Sequence, residues 1–366
     1  MKMHMQQNSR GFSLMELMIS MALGLIVMGS VVQLFNMGMK STTVVSQRAE
    51  LQQNMRAALE LMTKDISMAG SGLPTGGIQL PNNGAQASLF SCDQLGVCHI
   101  PANFQYPTAN YMYGIIPGFQ TGVENNAVIP SAPGTPSSSI TVVYADYNFP
   151  LNEYYVTFPN GAGSTANIAA NPNFNPAPPL VTAAGGLQVG DLVWLSNSNG
   201  NAVGEVTGFS ANSMTFNDGD PLRFNQSNIA FQHNIRAIAT PMVGQPCPPT
   251  CTTAYRIFVV TYYLSVPGVA GQLPRLMRQV NGLTPVPVAD NIISLQFAYD
   301  AYNNTNNVLD ANQVNPIGVG DSLNLIQKVN ISLVGQSLTG NGNSMQNMAL
   351  STSVSARNMA FRNRYQ

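Results

Sequence analysis

The chain has 366 residues, a net charge of −1 and a hydrophobic content of 45%. Only 8% of its residues are charged, against about 25% in ordinary globular proteins. The balanced charge excludes a protein that attracts nucleic acid non-specifically, and the hydrophobic content excludes a disordered polymer. The chain is long enough to bury a sizeable core in one domain or two, and its many turn-forming residues favour exported β-structure.

The N-terminus combines a short polar leader with a long apolar run. The leader, residues 1–11, contains Lys2 and Arg10. The run at residues 12–32 has about the 20 residues that cross a bilayer as a helix. Positive charges before the run predict a cytoplasmic N-terminus and an exported remainder. An ordinary signal peptide is disfavoured because the run is too long and no small-x-small cleavage site follows it.

One acidic residue, Glu16, interrupts the apolar run. An ionised carboxylate in an apolar helix costs about 2.5–3.5 kcal/mol even on lenient insertion scales, so it persists where a partner offsets that cost. Residues 11–17, GFSLMEL, resemble the class III signal of type IV pilins and type II secretion pseudopilins. The pattern combines a Gly–aromatic junction, a Glu four residues on, a basic leader and an apolar run.

The resemblance implies that a prepilin peptidase cuts after Gly11 and methylates the new N-terminal residue, Phe12. The positive amine so created lies one helical turn from Glu16, and the two charges can pair within a subunit or between neighbours in a helical bundle. In low dielectric this attraction is strong, and a missing partner leaves a buried charge. We therefore expect Glu16 to fix the register of the assembly.

The apolar run continues into an amphipathic segment without a helix breaker. Residues 41–69 contain no Pro or Gly, and their apolar residues recur at spacings that fit one stripe of a helix. A Gly-Ser-Gly-Leu-Pro segment at residues 70–74 then ends the helix. One helix of about 55 residues is expected, with a transmembrane half at residues 12–33 and an amphipathic half at residues 34–70.

The remainder, residues 71–366, is expected to form an exported β-rich head with elaborated loops and a small inserted β-subdomain at about residues 170–240. Runs of β-branched and aromatic residues between turns predict its strands. They lie at residues 140–144, 153–158, 191–195, 202–206, 214–216, 255–263, 276–278, 292–299, 329–334 and 350–354. The expected fold class is α+β and type IV pilin-like, with the long helix packed on an antiparallel sheet.

Two further regions resemble PilW-like minor pilins. In residues 51–70 an Arg-Ala-x-Leu run leads to Asp-Ile and then Ala-Gly. Near the C-terminus, a long strand is followed by a Leu-x-Arg strand at residues 276–278, the segment ADNIISLQF and a terminal Ala-Arg-Asn. The helix region also resembles the largest minor pseudopilins of type II secretion.

The resemblance implies a minor pilin that primes or promotes type IV pilus assembly, sits at or near the pilus tip and supports twitching motility and adhesion. The implied partners are prepilin peptidase, the major pilin and other minor pilins, the pilus assembly platform and a tip adhesin. The head would lie in the periplasm while the chain is in the inner membrane, and on the extracellular pilus afterwards. A type II secretion pseudopilin and a tip adhesin exported by the pilin pathway stay open as alternatives.

The four cysteines form two close pairs, Cys92 with Cys98 and Cys247 with Cys251. Local disulfides are the simplest pairing in an oxidising compartment, although four cysteines allow three pairings. A metal site is the alternative. It is disfavoured because His99 is the single histidine near a pair and the Cys-x-x-Cys spacing of zinc modules is absent.

Groups that carry out catalysis are scarce in the sequence. The three histidines are scattered, and no nucleophile motif, phosphate-binding glycine loop or paired-carboxylate signature occurs, so neither an enzyme nor a cofactor is expected. Residues 300–310 are rich in Asp and Asn. They lack the spacing and closing Glu of an EF-hand loop, which leaves calcium binding and ordinary turns as alternatives.

Charged residues are unevenly distributed along the chain. No Lys or Arg occurs between Lys64 and Arg223, although acidic residues recur there, whereas three arginines crowd the C-terminus. This pattern predicts either an ordinary solvated surface or an acidic face and a basic face that orient the subunit among its neighbours.

Overall fold

The computed structural model describes residues 11, 13–74, 76–81, 87–99, 111–121, 136–173, 186–210, 212–226, 233–248, 250–266, 272–303, 308–317, 322–337 and 346–359. Over these residues a long helix is followed by antiparallel β-sheets, which is the α+β pilin-like architecture that the sequence predicts. Two compact units are formed: Met1–Glu50 with Ser337–Gln346, and Leu51–Gln336 with Asn347–Gln366.

The long helix, α1, spans Leu14–Met68 without a break and has 55 residues. In the first unit its apolar side chains are exposed from Leu14 to Val45, except the half-buried Val44. Among the described residues it is the one helix long and apolar enough to cross a membrane. In the second unit, from Leu51 onward, the apolar stripe of α1 is buried in the core of the head.

The end of α1 depends on glycines for both conformation and space. Gly70 follows the helix with φ +73°, the left-handed conformation that a glycine adopts without strain. Its N–H donates to the carbonyl of Val143 at 2.9 Å. Gly114 packs against this turn so closely that a Cβ there would lie 2.6 Å from the nitrogen of Gly70.

The described residues also contain a short helix, α2 (Ile235–Ala239), single 3-10 turns, and 17 strands. The turns are Leu151–Glu153, Thr240–Met242 and Leu323–Leu325. The strands are β1 (Ile78–Gln79), β2 (Tyr111–Met112), β3 (Ile115–Gly118), β4 (Ser139–Ala145), β5 (Tyr154–Thr157), β6 (Thr165–Ala170), β7 (Leu192–Asn197), β8 (Gly200–Glu205), β9 (Gly208–Ser210), β10 (Ser213–Thr215), β11 (Thr253–Ser265), β12 (Arg275–Val280), β13 (Val286–Ala289), β14 (Ile292–Asn303), β15 (Val308–Gln313), β16 (Ile326–Gln336) and β17 (Asn347–Ser355).

The central sheet is organised around β11. This strand pairs with β4 along one edge, and along the other edge it pairs first with β7 and then with β12. The outer strands are β3, β8 and β13. Asn281 occupies the gap between β7 and β12: its N–H donates to the carbonyl of Val259, and its Oδ1 accepts the N–H of Val259, both at 2.8 Å. On this edge, β7, Asn281 and β12 together hydrogen-bond the backbone of β11 from one end to the other.

The main core lies between α1 and two sheets. A four-stranded sheet in the order β15-β14-β16-β17 contributes Phe297 and Leu333, and the central sheet contributes Tyr144 and Tyr262. Alternate residues of β4 point to opposite faces of the central sheet, so that Val143 belongs to a second core behind it. The helix is therefore buried against one face of the central sheet.

A third core belongs to the four-stranded sheet β5-β6-β10-β9, which packs with α2. The predicted subdomain at residues 170–240 overlaps this region and stays a prediction. Strands within that range are divided between two sheets, since β9 and β10 join this one while β7 and β8 extend the central sheet.

Candidate functional site

Glu16 lies in the first turn of α1, with its side chain exposed among exposed apolar neighbours. Ser13 immediately precedes α1, and its carbonyl accepts the N–H groups of Glu16 at 3.0 Å and Leu17 at 3.1 Å. Gly11 is exposed. The leader up to residue 10 and Phe12 lie outside the described residues, so the predicted cleavage site is described on its Gly11 side alone.

The hydroxyl groups of the apolar part of α1 are satisfied within the helix. Ser20, Ser30, Thr42 and Thr43 each donate to the carbonyl four residues earlier, at 2.7–3.0 Å. A carboxylate such as that of Glu16 cannot donate to a backbone carbonyl in this way. No cation among the described residues lies within ion-pair distance of it. The carboxylate of Glu16 is exposed on the surface of the helix.

The other acidic residue of note on α1, Asp65, is buried at the end of the helix that packs in the head, with 4% of its surface exposed. Its Oδ1 accepts the hydroxyl of Tyr144 at 3.1 Å. Its Oδ2 accepts the hydroxyl of Tyr262 at 2.5 Å and the Nε of Arg278 at 2.8 Å. The same Nε lies 3.1 Å from the Tyr262 oxygen. Four side chains from α1, β4, β11 and β12 thus form one hydrogen-bonded group, which we call the Asp65 cluster.

The surroundings of Tyr144, Tyr262 and Arg278 in the Asp65 cluster keep these three side chains in the forms that donate hydrogen bonds. Burial, followed by the charge of Asp65, raises the pKa of Tyr144 and of Tyr262. Burial alone lowers the pKa of Arg278, but the hydrogen bond and charge of Asp65 outweigh it, so the pKa is raised. The tyrosines stay protonated donors and the guanidinium stays charged, so the buried carboxylate is neutralised by its own chain.

The Asp65 cluster joins the two regions on which the resemblance to PilW-like minor pilins depends. Asp65 belongs to the Asp-Ile step at the helix end, and Arg278 belongs to the Leu-x-Arg strand 213 residues later. The sequence singled out both regions but not the pair. A signal was present, because an acidic residue three positions after Met62 falls on the buried stripe of α1 and calls for a buried partner.

Most acidic residues between Lys64 and Arg223 are buried in the head, so both predictions, an ordinary solvated surface and an acidic face, are wrong for them. The buried ones are Asp65, Asp93, Asp146, Asp191, Glu205 and Asp220. Arg256 illustrates the reason: its Nε donates to Asp146 at 2.8 Å, and its guanidinium lies 4.4 Å from the centroid of the Phe149 ring. These carboxylates bind donors inside the head and contribute little to its surface charge.

A pair of carboxylates, Glu205 and Asp220, lies in the interior although the sequence contains no paired-carboxylate signature. Their side chains are 0% and 4% exposed. Burial, and then the charge of Asp220, raises the pKa of Glu205 to about 8. Asp220 accepts the N–H groups of Phe224 at 2.8 Å and of Asn225 at 2.9 Å. The raised pKa favours the protonated form of Glu205 beside the charge of Asp220, and both side chains are buried inside the head.

The cysteines form two disulfides, Cys92–Cys98 and Cys247–Cys251, which fits the local pairing expected from the sequence. His99 lies with its Nε2 3.0 Å from Asp93 Oδ2. Within the parts of the chain that the structure describes, no group of three His, Cys, Asp or Glu side chains is placed to hold a metal ion.

The Asx-rich segment is described at both ends but not at residues 304–307. Asp300 Oδ1 accepts the N–H of Asn312 at 2.9 Å, and its Oδ2 lies 3.5 Å from Nζ of Lys328. Asn303 donates to Asp310 at 3.1 Å. In the described part, donors of the protein thus bind or lie near both oxygens of Asp300 and one oxygen of Asp310.

The comparisons with known proteins agree with the N-terminal pattern. Residues 6–32 match the family model described as the prokaryotic N-terminal methylation motif. No curated protein and no solved structure matches the chain. The motif covers the leader and the start of α1, where Gly11, Phe12 and Glu16 lie. An N-terminal methylation motif that opens a long apolar helix, followed by antiparallel sheets, supports a type IV pilin-like protein.

Proposed function

We propose that this chain is a PilW-like minor pilin that primes or promotes type IV pilus assembly and is incorporated at or near the pilus tip. The observation that carries the proposal is the N-terminal methylation motif on a helix of 55 residues whose first part exposes its apolar side chains. Such a surface is stable only in a membrane or against other apolar helices. The role is structural and supports twitching motility and adhesion.

The size of the head supports a minor rather than a major subunit. In the described residues the head contains three large hydrophobic cores and four sheets. A large head disfavours the dense, repeated packing of a thin fibre and favours a terminal position. The Asp65 cluster adds support, because it joins the two regions that resemble PilW-like proteins.

In this role, prepilin peptidase cleaves after Gly11 and methylates Phe12. The chain waits in the inner membrane with a cytoplasmic N-terminus and a periplasmic head. The amine of Phe12 and the carboxylate of Glu16 then pair as subunits stack, since each would otherwise stay charged and unpaired in lipid. Partners are the major pilin, other minor pilins, the assembly platform and a tip adhesin.

The first test is deletion of the gene followed by a count of surface pili. We expect few or no pili, with recovery when the intact chain is supplied again. Normal piliation in the deletion strain contradicts the priming role. Mass spectrometry of the membrane-extracted protein checks the processing, and we expect loss of residues 1–11 and a methyl group on Phe12.

A pseudopilin of type II secretion is the second candidate, favoured by the resemblance of residues 51–70 to the largest minor pseudopilins. Here deletion would abolish the release of secreted enzymes and leave pili unchanged. A tip adhesin exported by the pilin pathway predicts a third outcome, in which piliation is normal and surface binding is lost.

A further inference from the structure

The four-stranded sheet β15-β14-β16-β17 ends in β17, which pairs with β16 on one side and, among the described residues, with no strand on the other. All nine residues of β17 pair with β16 in one register, without a shift. The open edge of the sheet is therefore continuous over the whole length of β17.

Every second residue of β17 directs its backbone N–H and C=O away from β16. The N–H of Ser337 donates to the carbonyl of Gln346 at 2.9 Å, and the N–H of Ala356 donates to the carbonyl of Gln327 at 2.8 Å. These two bonds fix the phase of the antiparallel ladder, in which bonded pairs alternate with pairs whose backbone groups point outward. The outward-pointing residues of β17 are Asn347, Ala349, Ser351, Ser353 and Ser355.

The side chains of these outward residues leave the edge accessible. All of them are exposed and short, with amide, methyl or hydroxyl ends. Sheet edges are commonly protected against a further strand by Pro, by charged side chains or by a bulge. β17 contains no Pro and no charged residue, and its ladder with β16 has no bulge.

Other outer strands of the described chain do carry such protection. β3 contains Pro117, and β13 contains Pro287. β15, at the opposite edge of the same sheet as β17, has six residues, contains Asp310 and pairs with β14 through a register shift. Of the two edges of this sheet, β17 is therefore the one suited to receive a strand.

The inner face of β17 indicates which side chains an added strand would carry. Val354 is buried in the main core, whereas Met348 and Leu350 pack against that core but are only half-buried. A strand along the open edge places its inward side chains beside these two residues. Apolar side chains at alternate positions would complete the burial, since apolar groups gain free energy on leaving water.

β17 runs in the same direction as the part of α1 that lies in the head. Near its start, a Cβ on Gly335, the residue paired with Met348, would lie 2.8 Å from Leu51. Beyond its end, Asn358 Nδ2 donates to the carbonyl of Ser67 at 3.4 Å. Two copies anchored in one membrane have parallel α1 helices, so their β17 strands cannot pair in the antiparallel way. A second copy is therefore the less suitable partner.

We propose that β17 binds an extended segment of a different exported protein of the same assembly by antiparallel strand addition. The segment is as long as β17, about nine residues, and has apolar side chains at the alternate positions that face Met348 and Leu350. Its backbone supplies the affinity and its inward side chains supply the specificity. This inference rests on the proposed function, which brings other exported subunits to this chain.

Amide hydrogen exchange tests the proposal residue by residue. The full chain alone in detergent is compared with the complex extracted through a tag on this chain from cells that assemble the filament. Alone, the outward N–H groups of β17 should exchange at least about 100-fold faster than those bonded to β16. In the complex both sets should be protected. Outward groups that exchange equally fast in both samples overturn the proposal. Protection already present in the chain alone also overturns it, because the chain itself would then occupy the edge.

Photo-cross-linking in the same cells identifies the occupant. A photo-reactive phenylalanine analogue replaces Ser353 at the open edge or, as the control, Val308, which is 52% exposed on β15. We expect the probe at position 353 to capture one different exported protein about tenfold more than the probe at position 308, the ratio that a contact of about 1.4 kcal/mol gives. Cross-links to a second copy, to the chain itself or equally from both positions overturn the proposal.

A single-residue pair of variants separates backbone pairing from ordinary contact. Ser351→Pro removes an outward N–H from the middle of β17, whereas Ser351→Ala keeps it. Both should unfold at similar temperatures, because this N–H points away from β16 and Pro is tolerated on such an edge. We expect Ser351→Pro alone to lose co-purification of the cross-linked protein, by about tenfold. Equal co-purification with both variants contradicts strand addition.

These experiments fail separately from the test of the proposed function. If deletion of the gene leaves piliation normal, the priming role is wrong, and protection of the outward N–H groups in the complex still supports strand addition. If deletion abolishes pili and these groups stay unprotected in the complex, the priming role stands and strand addition is wrong.

Discussion

Two carboxylates of the same helix, Glu16 and Asp65 of α1, lie in opposite environments. Glu16 is exposed in the first turn, among exposed apolar residues and without an ion-pair partner in the described chain. Asp65 is 4% exposed and accepts hydrogen bonds from two tyrosines and an arginine. The comparison shows that a single acidic residue on an apolar stripe of a helix indicates a group that binds its carboxylate. That group comes either from the same chain or from another molecule.

Removal of Asp65 should have the largest effect on stability. Asp65→Ala leaves the partly buried Arg278 charged with no carboxylate, which lowers the free energy of unfolding by at most about 3–5 kcal/mol. Urea unfolding of the detergent-solubilised chain, followed by the fluorescence of Trp194, measures it. The control is Glu60→Ala on the exposed side of the same helix, which should change stability by less than about 0.5 kcal/mol.

A double-mutant cycle tests whether Asp65 acts through Arg278. We expect Asp65→Ala and Arg278→Met to be far from additive, because the second change removes the charge that the first leaves unpaired. Additive losses would mean that the two side chains are independent, and the comparison between the two carboxylates would lose its basis.

The carboxylate pair should make the stability of the head fall as pH rises. The pKa of Glu205 in the folded chain is about 8, above the ordinary value of 4.5. A group with a raised folded pKa stabilises fully below its unfolded pKa, and this stabilisation is lost as pH rises through the folded pKa. Between pH 4.5 and 8 the contribution should fall by at most about 1.4 kcal/mol per pH unit, less where Asp220 shares the proton.

Unfolding of the full chain in detergent across this pH range measures the slope. Glu205→Gln should flatten it, because an amide supplies a neutral partner to Asp220 at every pH. Glu153→Gln, on the partly exposed first turn before β5, serves as the control and should leave the slope unchanged. A steep slope that persists in Glu205→Gln would assign the pH dependence to another group.

Glu16→Val should have the reverse profile of Asp65→Ala. The head should unfold at the same urea concentration, because Glu16 is exposed and is not one of the core residues. Entry into filaments should fall by about tenfold or more, since the amine of Phe12 then lacks its counter-charge. Purified pili are compared by immunoblot against the membrane fraction. A Glu16→Val chain that enters filaments normally contradicts the pilin assignment.

Much of the fold follows from local patterns in the sequence. The predicted helix of about 55 residues corresponds to α1, and each predicted run, such as residues 255–263 and 292–299, falls on a strand. Strands without such a pattern were missed. β6 is TANIAA, whose alanines and asparagines have low strand propensity, and β15 alternates little between apolar and polar residues. Tertiary pairing decides these strands.

The sequence predicted the residues of the candidate site only where they lie close together along the chain. The N-terminal motif lies within one short segment, so its residues are found by spacing. The Asp65 cluster joins residues from four elements, and the Glu205–Asp220 pair depends on how β8 meets the following turn. The prediction from the charge pattern was wrong because burial also depends on tertiary contacts. The pattern gives the number of carboxylates but not which of them, such as Asp146, are buried against an arginine.

The smallest expected effect on stability comes from removing the hydroxyl groups of two buried tyrosines, of which one is bound to Asp65 and the other is not. The hydroxyl of Tyr262 donates to Asp65, whereas that of Tyr299 finds no partner among the described residues and lies in the same core. Tyr262→Phe removes a donor from a buried carboxylate and should destabilise by about 1–3 kcal/mol. Tyr299→Phe removes a buried hydroxyl that has no hydrogen-bond partner, and should leave stability unchanged or raise it by about 1 kcal/mol.

Urea unfolding of both variants under one condition gives the sign of each change in the free energy of unfolding. Equal losses in both would show that ring packing, rather than the hydrogen bond to Asp65, determines the contribution of Tyr262.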